Sequence, residues 1–183
     1  MHWDLYNYHL YAPHAALSIP LDQDFMGAGW LRYINPYAAM PFYWMVVSNW
    51  PAMLISVVLA CVHALNISLV WWISRAYLFR DFNSRDLSAI ATALGAATTV
   101  FLGLVGSTFT DPLTSILLLV ALAALMESAN KGGRTIWTLI AGFAAGVACG
   151  LKLTNAVLAA ALCISALAIG THVRGRLRNL CLF

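Results

Sequence analysis

Charge is what this sequence has least of. Lys, Arg, Asp and Glu together make up 9% of its residues, against roughly 25% in an ordinary soluble domain. Mean hydropathy is +0.79, and several uncharged runs reach the length of a membrane crossing, so an ordinary soluble domain is excluded. Cysteine is sparse too. Cys61, Cys149 and Cys163 lie within apolar runs and Cys181 near the end, with no paired spacing. They read as small buried hydrophobes, which excludes a disulfide frame or a zinc site. No Gly-rich phosphate loop, nucleophile elbow, His-Glu metal motif or heptad is present, which leaves soluble nucleotide-dependent chemistry without support. Nor is a signal peptide visible, since Met1 is followed at once by polar and aromatic residues.

What is present is apolar helix, predicted as an all-α polytopic transmembrane bundle of about five spans. Residues 1–50 read as an outer, periplasmic loop and interfacial region, and 51–183 as the transmembrane region. The Pro20–Gly29 tract is loop, and Asn7 to Leu17 has the composition of a short helix despite Pro13. Pro36 to Asn49 is apolar, interrupted by Pro41 and too short to span; with Tyr37, Tyr43, Trp44 and Trp50 it fits an interfacial or re-entrant segment. Pro51 to Ser74 then carries no charge, and about 36 Å of helix from those residues crosses ~30 Å of hydrocarbon. The spans are predicted near 51–79, 87–110, 112–128, 135–151 and 153–172. Polar interruptions part them: RAYLFRDFNSRD, Asp111-Pro112, ESANKGGR and the lone Lys152. Pro112 suits the first turn of a new helix.

The cations give the orientation. Arg75, Arg80 and Arg85 fall in one loop, Lys131 and Arg134 in another, and Arg174, Arg176 and Arg178 in the tail. With five spans these eight of ten cations share one face, which the positive-inside rule makes cytoplasmic. Asp4, Asp22, Asp24, Arg32, Asp111 and Lys152 then fall outside. The basic tail is explained by topology and needs no nucleic acid. Small residues recur every fourth position at Ala91, Gly95, Thr99 and Gly103, and again at Gly142, Gly146 and Gly150. That spacing predicts close helix packing.

One stretch does not fit a plain run of apolar helix. WDLYNYHLY, Trp3 to Tyr11, holds an acid, an amide, an imidazole and four aromatic rings. Asp4, at a partly desolvated boundary among Trp3, Tyr6 and Tyr8, suits a proton acceptor; a solvated loop acid or a helix cap is the plainer alternative. Asn7 and His9 suit either a sugar hydroxyl or structural hydrogen bonds. Asp111 is a second outer acid, favourably spaced to cap the helix before Pro112. Lys152, between two apolar runs, suits a lipid phosphate or a snorkelling anchor. Arg32 is a weaker phosphate candidate. His63 and Asn66 lie within a span and are expected to hydrogen-bond another helix.

The pattern D-x-x-N-Y-H-x-Y at Asp4, Asn7, Tyr8, His9 and Tyr11 is followed by Ala15 and Leu17. Then comes Y-x-N-P-x-x-x-x-P-x-Y at Tyr33, Asn35, Pro36, Pro41 and Tyr43. Together these resemble bacterial membrane glycosyltransferases of the GT-C superfamily, akin to the polyprenyl-phosphate-mannose-dependent mannosyltransferases. The G-x-x-x-G-L-K-x-T stretch, Gly146 to Thr154, is similar to theirs but less specific. The resemblance implies a multi-pass protein of the bacterial inner membrane. It would move a sugar from a polyprenyl-phosphate carrier to a lipid or glycan acceptor; no cofactor is assigned and no metal ligand is singled out. It places Asp4 as general base, Asp111 more loosely as a second acid, and cationic and polar groups around the phosphate; Arg32 and Lys152 are the candidates for the phosphate, and Asn7 and His9 for the substrate hydroxyl or sugar. Such enzymes carry a span before the first loop and about twice as many spans in all, so the chain is expected to be a fragment, and an inactive one on its own. Two other classes compete. A transporter or flippase module calls for charges in mid-span, and only the borderline Lys152 qualifies; a non-catalytic membrane scaffold fits the truncation.

Overall fold

The computed structural model describes residues 4–18, 35–80, 84–132, 134–169 and 181–183. Among them there is no strand, so the all-α expectation holds. A π-helical turn, Leu5–His9, leads into α1, Tyr11–Ser18. A 3₁₀ turn at Pro36–Ala38 precedes α2, Met40–Val47. Pro41 lies in the first turn of α2, where its missing N–H costs nothing, so this proline starts a helix instead of interrupting one.

The long elements follow. Helix α3, Ala52–Ile73, runs on through a π-helical turn to Leu78. Next come α4, Ser84–Ala96, and α5, Thr99–Leu104. Helix α6 is Asp111–Asn130, α7 is Thr135–Leu151, and α8 is Ala156–Ala166 after a 3₁₀ turn at Leu153–Asn155. Among the described residues two helices are long and apolar enough to cross a membrane: Ala52–Leu78, at 27 residues, and Asp111–Asn130, at 20. Thr135–Leu151 and Leu153–Ala166 are shorter apolar helices.

The run expected as one span over 87–110 is not one helix. It parts at Ala97–Thr98, where Thr98 takes an extended conformation. The Thr98 hydroxyl donates to the Gly95 carbonyl at 3.1 Å and accepts from the Phe101 N–H at 3.4 Å. It thus serves the last turn of one helix and the first turn of the next, the competition with helix continuity that Thr side chains offer.

Helices α6 and α7 form a hairpin, and α8 folds back alongside both. The core is small-residue packing: Ala121, Ala124 and Leu125 of α6, Ala141, Ala144 and Ala145 of α7, and Ala166 and Ile169 from the last helix and the turn after it. Buried Ser128 and Thr138 hydroxyls meet at 3.0 Å across the hairpin. Apart from Gly142, the glycines of these stripes are not packed against a neighbour. A Cβ at Gly95, Gly103, Gly146 or Gly150 meets nothing within 4 Å, and one at Gly142 would collide with the Phe183 backbone. The reason is rotation about the helix: the alanines at 141, 144, 145 and 148 face the core, and the glycines fall on a neighbouring stripe. All four cysteines are free as expected, but none is buried; Cys61 and Cys181 are exposed on outward faces.

Helices α3 and α6 run parallel, tied at two levels. Asn66 donates to the Pro112 carbonyl at 2.7 Å and accepts from the Ser115 hydroxyl at 2.8 Å. Further along both helices, the Tyr77 hydroxyl donates to Glu127 Oε2 at 2.6 Å. His63, 1% exposed, accepts from the Gly106 N–H at 3.3 Å. Gly106 has φ +72, and a Cβ there would lie 3.1 Å from the Ser56 carbonyl oxygen. Only glycine permits both the turn and that approach. Asn66 therefore hydrogen-bonds another helix, as expected, and His63 the turn that follows α5.

Candidate functional site

The site assembles at the end of the bundle where α6 begins and α7 gives way to α8. The helix stops at Lys152 because this residue is extended, with φ −150 and ψ 110. Two amides accommodate the break. Asn155 donates to the Ala148 carbonyl at 3.0 Å, and Asn35 donates to the Gly150 carbonyl. Asn35 also accepts from the Tyr37 N–H at 2.9 Å, capping the turn that starts at Pro36. One side chain thus fixes both its own turn and the α7–α8 junction.

Lys152 reaches across this junction to the start of α6, its Nζ lying 2.6 Å from Asp111 Oδ1. The pair is half-buried, with the side chains 25% and 47% exposed. Asp111 is not the cap that its spacing suggested. It lies inside the first turn of α6, Thr110 takes the cap position without a side-chain bond, and the carboxylate turns to Lys152 instead. Near a helix N-terminus that carboxylate is still favoured by the helix dipole.

The N-terminal segment closes over the same place. Asp4 and Tyr8 are one turn apart in the π-helical stretch, and the Tyr8 hydroxyl hydrogen-bonds the Asp4 carboxylate. Burial pushes the Tyr8 phenol up to about 12, helped by the charge of Asp4, that hydrogen bond and the charge of Asp111. Tyr8 therefore stays protonated and donates its one hydrogen bond to Asp4, with the charge of Asp111 close enough to be felt. His9, 4% exposed, is anchored by a 2.8 Å contact from Nδ1 to the Thr108 hydroxyl and by its edge-on packing against Phe109. Next to it, His14 Nδ1 lies 3.1 Å from the Tyr43 hydroxyl, joining α1 to α2.

Between these groups lies a cavity of about 560 Å³, within the range of small-molecule sites. Its walls are largely apolar, with Ala12, Pro36, Ala39, Phe109 and Leu153 among them, and Tyr8, His9, Asn35, Lys152 and Thr154 supply polar groups. The two acids reach it through partners: Asp4 through Tyr8, and Asp111 through Lys152.

No protein-family model, curated protein or solved structure matches this chain. The site therefore rests on its own geometry.

Of the residues singled out from sequence, Asp4, His9, Asp111 and Lys152 come together here. Asn7 belongs to the same helical turn, but its side chain lies outside what is described, and Arg32 lies outside the described residues altogether. No group of His, Cys, Asp and Glu side chains suited to a metal ion occurs among the described residues. Two residues of the site were not anticipated. Tyr8 was named as an aromatic flank of Asp4 and a member of the pattern but given no role, yet the one-turn spacing of the two was the available signal. Asn35 was seen only as part of a pattern; its place before Pro36 is a cap signature, but its partner Gly150 is remote in sequence.

Proposed function

We propose that this chain is a GT-C-type membrane glycosyltransferase, or the part of one that carries its outer acid. It moves a sugar from a polyprenyl-phosphate carrier to a lipid or glycan acceptor. The supporting observation is the meeting of the Asp4–Tyr8 and Asp111–Lys152 pairs at one apolar-walled cavity. Asp4 takes the proton of the acceptor hydroxyl, and Tyr8 holds the carboxylate in place for that transfer. The acceptor oxygen attacks the anomeric carbon, and the bond from that carbon to the phosphate oxygen breaks. The carrier leaves as polyprenyl phosphate with the bonding electron pair. Lys152 meets the charge on the departing phosphate, which takes the position that the Asp111 carboxylate occupies beside it.

In this reading five segments cross a bacterial inner membrane, the α4–α5 pair counting as one interrupted crossing. Residues 1–50 lie outside with the cavity, and the Arg75–Arg85 loop, the Lys131–Arg134 loop and the tail lie inside. The loop and tail cations carry that sidedness; the Asp111–Lys152 pair lies at one end of α6 and the Glu127–Lys131 pair at the other.

Asp4→Asn in the full-length reading frame tests the assignment, because it keeps shape and removes the proton acceptor. Transfer from a polyprenyl-phosphate sugar should fall about 10²–10⁴-fold with expression and helicity intact. Transfer near the unmodified level would remove Asp4 from the reaction.

A further inference from the structure

At the opposite end of the bundle a groove of about 310 Å³ opens between α3, α6 and α7. Its lining is apolar along its depth, from Leu69, Val120, Ala123 and Ile140. Polar groups gather at Glu127 and Lys131, beside the rings of Trp72 and Trp137. Apolar lining, paired indoles and one charged cluster are the sequence of environments met on going from hydrocarbon to headgroup.

The charges say more than that. Lys131 forms an ion pair with Glu127 Oε1 and lies 5.2 Å over the Trp137 ring. The Tyr77 hydroxyl holds Glu127 Oε2 at 2.6 Å, and Trp72 packs edge-on against the Tyr77 ring. The cluster is therefore a fixed carboxylate and a fixed ammonium side by side, with no net charge. A purely anionic headgroup would gain Lys131 and face Glu127. A headgroup carrying both a phosphate and a primary ammonium matches both at once, its phosphate on Lys131 and its ammonium donating to Glu127. A quaternary ammonium has no N–H to give the carboxylate.

We infer that this groove binds one phospholipid with an aminoethyl phosphate headgroup, one acyl chain lying along Leu69, Val120 and Ile140. The volume is roughly ten times the ~30 Å³ share of a water in the liquid, enough for part of such a chain. The inference shares with the proposed function only the reading of the chain as membrane-embedded, and it makes no use of Asp4 or the cavity at the other end.

Native mass spectrometry of the full chain in detergent, with dioleoyl phosphatidylethanolamine or dioleoyl phosphatidylglycerol added, tests it. The expected result is one phosphatidylethanolamine retained per chain and at least fivefold less phosphatidylglycerol. Glu127→Gln and Lys131→Gln should each reduce that retention severalfold with helicity unchanged. Should either lose helicity, Ile140→Trp, which fills the groove from an outward-facing position, must abolish retention instead. Phosphatidylethanolamine with brominated acyl chains should quench tryptophan fluorescence, and less so in Trp137→Phe. Equal retention of the two lipids, retention indifferent to these substitutions, or no retained lipid would each overturn the inference. The last is the result expected if a protein segment fills the groove. Loss of lipid retention would leave the Asp4 assignment standing, and loss of transfer in Asp4→Asn would leave the lipid site standing.

Discussion

Lys152 Nζ and Asp111 Oδ1 lie 2.6 Å apart, joining the α7–α8 junction to the first turn of α6 beside the cavity. A snorkelling lysine would send its ammonium to the headgroups and leave a carboxylate on a neighbouring helix alone. Here the cation is paired with a carboxylate, an anion of the kind that a phosphate can replace.

The two partners should therefore behave oppositely toward a phosphate-carrying donor. Lys152→Met removes the charge and keeps an apolar stem, and a lost charged hydrogen bond of ~1.5–3 kcal/mol predicts donor binding weaker by about 10 to 100-fold. Asp111→Asn frees the ammonium from its internal partner, so donor binding should hold or tighten. Titration of both variants with a short-chain polyprenyl-phosphate sugar checks this. Equal losses in the two would show a pair that matters for the fold alone.

Asn66 offers a stability test away from the site. Its amide is buried and bonded to the His63 and Pro112 carbonyls and the Ser115 hydroxyl. Asn66→Leu keeps the volume and strands those partners. Interhelical hydrogen bonds of this kind average ~0.6 kcal/mol in membranes, reaching about 1.7, so a loss of roughly 1 kcal/mol is expected. Thermal unfolding in detergent, with Ser68→Ala on an exposed position as control, measures it.

How much of this was legible beforehand depended on which physical signal each feature left. The apolar runs and the cation bias put Asp4, Asp111 and Lys152 on one side, because the cost of charge in hydrocarbon acts on each residue independently. Their pairing was not legible, since Asp111 and Lys152 meet through the return of α7 along α6. The break at Thr98 was missed because hydropathy counts Thr, Ala and Gly as neutral and does not register a hydroxyl that caps. The glycine stripes misled for a related reason: spacing every fourth residue marks a face of the helix, but not which neighbour that face meets. Ala141, Ala144, Ala145 and Ala148, at mixed three- and four-residue steps beside the glycines, form the stripe that is packed.

Topology is open to direct labelling. In a background with Cys61, Cys149, Cys163 and Cys181 replaced, single cysteines at Leu153 and Ser84 should report opposite faces. Leu153 is exposed at the turn beside Lys152, and Ser84, where α4 begins, lies within the Arg75–Arg85 segment. A membrane-impermeant maleimide applied to intact cells after outer-membrane permeabilisation should modify Leu153→Cys and spare Ser84→Cys. The reverse pattern would invert the bundle and put the cavity in the cytoplasm.

The phenol of Tyr8 gives a prediction that needs no substrate. Its ordinary value is 10.0, and burial together with the Asp4 and Asp111 carboxylates pushes it up to about 12. A proton held more tightly in the folded chain than in the unfolded one stabilises the fold fully below pH 10. That contribution is lost as pH rises from 10 toward 12, because the unfolded state ionises first. Difference absorbance at 295 nm between the unmodified chain and Tyr8→Phe isolates this one phenol from the others. Its phenolate should appear with a midpoint near 12, and Asp4→Asn should move that midpoint down, since it removes a charge and the acceptor of the Tyr8 hydrogen bond. A Tyr8 component titrating near 10 would mean that the hydroxyl faces solvent and that Asp4 does not hold it. In that case Asp4 would have no fixed donor, and the orientation assigned to its carboxylate would fail with it.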